Sequence, residues 1–160
     1  MATMARILIV DDSLICRAVI GRGLKAAGMR VDEAAGGVAA LQMVAANCYD
    51  VVISDLCMPG IDGFALMAAV KAQSPGTEVI ILSGVTDIEK AMQALKLGAH
   101  AYLAKPPAHP EEVLLTVKRA LETKRLRDLC AELQGQLAAR EPRLAATPSS
   151  RSQARHAAAS

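Results

Sequence analysis

Four short apolar runs in this chain each end on groups that can do chemistry. Asp11, Asp12 and Ser13 follow "RILIV", Asp55 follows "VVIS", Ser83 follows "EVIIL", and Lys105 follows "AYLA". Brought to one place, Asp11, Asp12, Asp55, Ser83 and Lys105 amount to three carboxylates, a hydroxyl and an ammonium. Three carboxylates in one place repel, so the set makes sense only around a cation. Oxygen ligands select a hard ion, and magnesium combines a few carboxylates with waters and a phosphate oxygen. The matching chemistry is attack of one carboxylate on phosphorus to give an acyl phosphate. Metal and lysine would offset the charge of the transferring group, and the hydroxyl would hydrogen-bond to it. Singly, each residue has a plainer use. Asp12 and Asp55 suit helix or turn caps, Ser83 a cap, and Lys105 a solvated surface. Asp55, in "VVISDLCMPG", is therefore cap, ligand or nucleophile until its surroundings decide.

The positioning elements follow from periodicity. Strands are expected at 6–10, 30–34, 50–54, 78–82 and 99–104. Helical three-four spacing of apolar residues runs over 14–27, 37–47, 63–73 and 86–97. Gly28 and Gly98 are placed as helix stops, and "SPGT" at 74–77 breaks the chain before the fourth strand. Five strand–helix alternations imply a parallel sheet with helices on both faces. The runs 7–10, 51–53 and 79–82 are continuously apolar, as strands buried on both sides should be. The fold class is thus α/β, a doubly wound five-stranded parallel sheet, which places sites at the carboxyl ends of its strands.

Composition excludes several functions. The chain has 160 residues, enough for one domain and an appendage, and 52% are hydrophobic, although 31 alanines dilute the large side chains. One Phe, two Tyr and no Trp give too few stacking platforms for nucleic acid. Residues 1–110 carry nine basic and ten acidic side chains, and residues 111–160 nine and six, too weak a bias for a DNA surface. Cys16, Cys48, Cys57 and Cys130 are scattered, which argues against a disulfide framework or zinc site. The N-terminus does not read as a signal peptide, and no segment is apolar enough to span a bilayer, so a cytoplasmic protein is expected.

Three regions are expected: a domain over 5–122, a helical extension over 123–141, and a disordered tail or linker over 142–160. In the extension Leu126, Cys130, Leu133 and Leu137 keep a three-four spacing, which suits either a short two-stranded coiled coil and hence a homodimer, or packing on another domain. The last segment is Ala/Ser/Arg/Pro-rich and aperiodic.

The ordered set "DD", "SDLCMPGIDG", "SG" after "VIIL" and "AYLAKP" resembles the receiver domain of two-component response regulators, over roughly residues 5–122. That resemblance implies a flavodoxin-like receiver fold with strand order 2-1-3-4-5. It implies Asp55 as phospho-acceptor, and Asp11, Asp12, Asp55 and the main-chain carbonyl of Cys57 as holders of Mg2+, directly or through water. Ser83 would hydrogen-bond the phosphoryl group, Lys105 would pair with its oxygen, and Tyr102 would turn inward with Ser83 as the switch. A cis bond is expected at Lys105–Pro106, and Pro107 stands where the family carries a large apolar residue.

The implied function is a phosphorylation-controlled switch rather than an enzyme, apart from catalysing its own phosphorylation and dephosphorylation. Its partners would be a sensor histidine kinase or phosphotransfer protein and a downstream effector, with no direct contact to nucleic acid or membrane. Because neither Cys57 nor Val85 offers a carboxylate or amide to orient water, a long-lived phospho-form is expected. The alternative is a haloacid-dehalogenase-like Mg-dependent phosphohydrolase with Asp11 as nucleophile. Ser13 stands where that chemistry needs a second acid. No phosphate-cradling loop follows the first strand, against a cofactor-binding flavodoxin. His100, His109 and His156 have no assignable role. Whether an effector domain follows the helical extension is left open.

Overall fold

The computed structural model describes residues 3–84, 87–107, 109 and 111–158, with side chains as far as Arg140. The strands are β1 (Arg6–Val10), β2 (Arg30–Ala34), β3 (Val51–Asp55), β4 (Glu78–Ser83) and β5 (Ala101–Ala104). The helices are α1 (Leu14–Ala26), α2 (Gly37–Ala46), α3 (Gly63–Gln73), α4 (Ile88–Lys96) and α5 (Glu111–Ala158). All strand pairs are parallel, in the order β2-β1-β3-β4-β5. The first strand lies inside the sheet, which creates the switch point where such folds build their sites.

Strand burial follows position. Every residue of β3 and β4 is buried, while β2 and β5, at the edges, mix buried or half-buried residues with exposed ones. Alternation divides the apolar residues between two cores. Leu8, Val10, Val52 and Ile81 pack on one side with Val44 of α2 and Leu66, Met67 and Val70 of α3. Ile7, Ile9, Ile53 and Ile80 pack on the other with Leu24 of α1 and Val113 and Val117 of α5. At the amino end of the sheet, Arg6 donates to Asp32 at 2.8 and 3.0 Å and lies over the Tyr49 ring, 5.0 Å from its centroid. The Tyr49 hydroxyl donates to the same carboxylate at 2.9 Å.

Several boundaries differ from the periodicity by one or two residues, those of β3 and β5 among them. Asp55 is the last residue of β3, paired with Leu82, because the buried run carries ladder pairing onto the acid itself. β5 begins at Ala101, because the chain is still closing the end of α4 at Ala99, whose N–H donates to Ala94 O at 3.0 Å. Gly28 and Gly98 both have positive φ, and Lys105–Pro106 is cis.

The chain forms two compact units, Met1–Lys124 and Arg125–Ser160. In the second, Leu126, Leu129, Leu133 and Leu137 are exposed. Residues 142–158, whose composition predicts a disordered tail or linker, carry helical backbone within α5. Alanine, the strongest helix former, is frequent there.

Candidate functional site

Parallel register assembles the site. Val10 pairs with Ser54, so the next residues along, Asp11 and Asp55, stand side by side at the carboxyl rim. Ser83 pairs with Ala104, and the following residue, Lys105, donates its main-chain N–H to Ser83 O at 2.8 Å. The strand-end residues therefore meet for reasons of backbone geometry before any side-chain chemistry acts.

Asp11, Asp12 and Asp55 each offer a carboxylate oxygen within 4.8 Å of the others. Asp11 is 1% and Asp55 9% exposed, while Asp12 faces solvent. The Lys105 ammonium is hydrogen-bonded to Asp11 Oδ2 and lies 3.2 Å from Asp55 Oδ2. Burial pushes the Asp55 carboxyl above its usual range, against the pull of Lys105, and the charge of Asp11 adds to the push. The N–H of Cys57 acts the other way, favouring the ionised form. Burial also opposes the charge on Lys105, but the hydrogen bond to Asp11 and the charge of Asp55 outweigh it and hold the ammonium above its ordinary value. One lysine thus faces two buried carboxylates and a third at the rim. An all-oxygen cluster with surplus negative charge fits a hard divalent cation.

The supporting loops are built closely. Asp11 Oδ1 accepts from Ser13 N at 2.9 Å, and Ser13 Oγ caps α1 by accepting from Cys16 N at 3.4 Å. After β3, Gly60 has φ +81, a conformation that favours glycine, and Asp62 caps α3 by accepting from Ala65 N at 2.8 Å. A Cβ on Gly63 would lie 2.6 Å from Asp55 O and 2.9 Å from Leu56 Cα, so only glycine lets α3 start against the acid's own backbone.

The other expected residues lie around this centre. Ser83 is 1% exposed at the end of β4. Tyr102, opposite Ile81 in β5, is half-buried against the core shared with Leu8 and Val10, below the rim. The Cys57 thiol is exposed. Val85 lies outside the described residues. Arg17 was not singled out by the sequence, yet its Nη1 donates to Asp11 O at 2.6 Å. A groove of about 570 Å3 opens between α1 and α5, lined by Ile15, Val19, Leu82, Pro106 and Leu114, and reaches Lys105. At its edge Leu14, Ile15 and Val19 are exposed, Ile15 to 75%.

A doubly wound sheet with paired strand-end acids and a lysine at its carboxyl rim defines a signalling receiver. Residues 7–118 match the response regulator receiver domain, and the chain belongs to that family. It is 38% identical over 113 residues to the DNA-binding transcriptional regulator NtrC of Escherichia coli K12, covering 71% of this chain and 24% of NtrC. It is 34% identical over 126 residues to the C4-dicarboxylate transport transcriptional regulatory protein DctD of Rhizobium meliloti, covering 79% of this chain and 27% of DctD. Among solved structures, a CheY-like receiver domain protein from Methanospirillum hungatei superposes with a TM-score of 0.74 at 26% identity, covering 78% of this chain and 99% of that one. The chain spans about a quarter of the length of the curated relatives it matches. It is a receiver domain homologous to response regulators, the phosphorylation-controlled switches of two-component signalling. Nothing in these similarities supports a haloacid-dehalogenase-like hydrolase. Among the described residues no helix is long and apolar enough to cross a membrane.

Proposed function

We propose that Asp55 accepts a phosphoryl group from a sensor histidine kinase or phosphotransfer protein, and that the phospho-form signals by changed protein contacts. The observation that carries this reading is the Asp55 carboxylate at the end of β3, 3.2 Å from the Lys105 ammonium and inside a three-acid cluster. A carboxylate oxygen of Asp55 attacks phosphorus, the bond from phosphorus to the donor nitrogen breaks, and the imidazole leaves with the electron pair and takes up a proton. Lys105 shifts from Asp55 toward a phosphoryl oxygen as charge moves outward. Ser83 donates its hydroxyl to another of those oxygens, and Tyr102 packs inward into the space that this movement opens.

Asp11, Asp12, Asp55 and the Cys57 carbonyl would hold Mg2+. Bound there, the ion supplies the positive charge that relieves the carboxylates and offsets the incoming phosphoryl group. Apart from its own phosphorylation and dephosphorylation, the chain is read as non-catalytic.

The donor must approach the same rim, and the exposed Leu14, Ile15 and Val19 beside it form an apolar face for docking. Residues 5–122 act as the receiver. Residues 123–141 connect it to an effector or pair with a second copy through the exposed leucines, and residues 142–160 serve as a tail or linker. The setting is the cytoplasm, without direct nucleic-acid or membrane contact by this segment. The test is phosphorylation by acetyl phosphate with Mg2+. Label confined to Asp55, and absent from Asp55→Asn, supports the reading, whereas label that survives the substitution overturns it.

A further inference from the structure

Arg17 lies in the first turn of α1, where the partial positive charge of the helix terminus disfavours a cation and where no acidic residue offsets it. Its position therefore calls for a partner outside the helix. Its guanidinium folds back under the β1–α1 loop, and the side chain is only 12% exposed. Nη1 donates to the main-chain carbonyl of Asp11 at 2.6 Å, and Nε lies 3.6 Å from Glu33 Oε1 at the end of β2. Asp11 is held from two further sides, since its N–H donates to Ala34 O at 3.2 Å and its Oδ1 accepts from Ser13 N at 2.9 Å. The arginine closes this frame. It grips the peptide that joins Asp11 to Asp12, the two acids that must point into the same cluster.

We infer that Arg17, anchored by Glu33, is a positioning residue for the divalent-cation site, fixing the Asp11–Asp12 peptide so that both carboxylates converge on Asp55. The inference rests on the proposed reading of that cluster as a magnesium site. Arg17 touches neither the reacting atoms nor a ligand oxygen of the cluster. Its effect is on how well the acids are preorganised, and so on cation affinity rather than on the rate of the loaded site.

Mg2+ binding to the full chain by isothermal titration calorimetry, together with the Mg2+ dependence of acetyl phosphate labelling, tests this. Arg17→Met, which keeps the apolar stem, should raise the Mg2+ dissociation constant about tenfold while the labelling rate at saturating Mg2+ stays within about twofold. Arg17→Lys, which restores one donor, should recover part of the affinity. Glu33→Gln should weaken binding less, and it decides the matter if Arg17→Met does not fold. A purely structural role would lower the melting temperature and leave the Mg2+ dissociation constant unchanged, and that result in Arg17→Met, or in Glu33→Gln if the first does not fold, overturns the inference. If the unmodified chain binds Mg2+ and Asp11→Asn does not, such a result overturns only the role of Arg17. If the unmodified chain does not bind Mg2+, the underlying reading fails with it.

Discussion

The Lys105 ammonium, just past the edge strand β5, and the carboxylate of Asp55, the last residue of the inner strand β3, meet at 3.2 Å, and the same ammonium is hydrogen-bonded to Asp11. One ammonium therefore serves two buried acids, and its loss removes that positive charge from both. Lys105→Met should slow labelling by acetyl phosphate at saturating Mg2+ by roughly 10²-fold, the scale of one preorganised charge-stabilising donor. Initial rates at several Mg2+ concentrations check this, and a rate within about twofold of the unmodified protein would contradict the role of Lys105.

Gly63 makes a second, purely steric prediction. A methyl group there would stand 2.6 Å from Asp55 O, and that contact is with backbone, which cannot swing aside. Gly63→Ala should destabilise the fold by about 1–3 kcal/mol in urea unfolding, as overpacking does, and slow Asp55 labelling as well. Native stability with native labelling would show that α3 can shift freely.

The apolar face of α1 predicts a split between phosphodonors. Ile15→Arg should slow transfer from a phosphorylated kinase or phosphotransfer protein by about tenfold or more, since a charge is placed in an apolar contact. Labelling by acetyl phosphate, which needs no docking face, should be unchanged. Equal slowing with both donors would place the defect in the site itself.

At the opposite end of the sheet, burial and the hydrogen bond to Asp32 push the Tyr49 hydroxyl up to about 12. A raised folded-state value stabilises the protein below the ordinary value of 10.0 and is lost as pH climbs to about 12. The contribution is on the order of 2–3 kcal/mol. Asp32 has the opposite sign. Although burial opposes its charge, its bonds from Tyr49 and Arg6 hold it below the usual range, so its stabilisation is present near neutrality and falls away in acid. Tyr49→Phe should flatten the alkaline loss in unfolding measured from pH 9 to 12; an unchanged slope would contradict the Tyr49–Asp32 pairing.

Much of this architecture was legible because each buried strand is a continuous apolar run and each turn carries its own punctuation. The runs at 7–10, 51–53 and 79–82 lie in the three inner strands, β1, β3 and β4, and Gly28 and Gly98 take the positive φ that ends helices. The convergence of Asp11, Asp12, Asp55 and Lys105 followed from parallel register, which fixes all strand ends on one rim. Arg17 was invisible to that reasoning, because it lies within a helix and acts backward on a main-chain carbonyl rather than at a strand end. Its misfit with the helix terminus was the available signal. The extent of α5 was harder still, since aperiodic alanine-rich sequence has the propensity for helix without the stripe that announces one.

The most direct test of the central claim is to treat the full chain and Asp55→Asn with acetyl phosphate and Mg2+ and to map the modified peptide by mass spectrometry. One phosphoryl group on the peptide containing Asp55, absent from Asp55→Asn while that variant keeps the native melting temperature, is the predicted result. A phosphoryl group at Asp11 or Asp12, or undiminished labelling of Asp55→Asn, would contradict it.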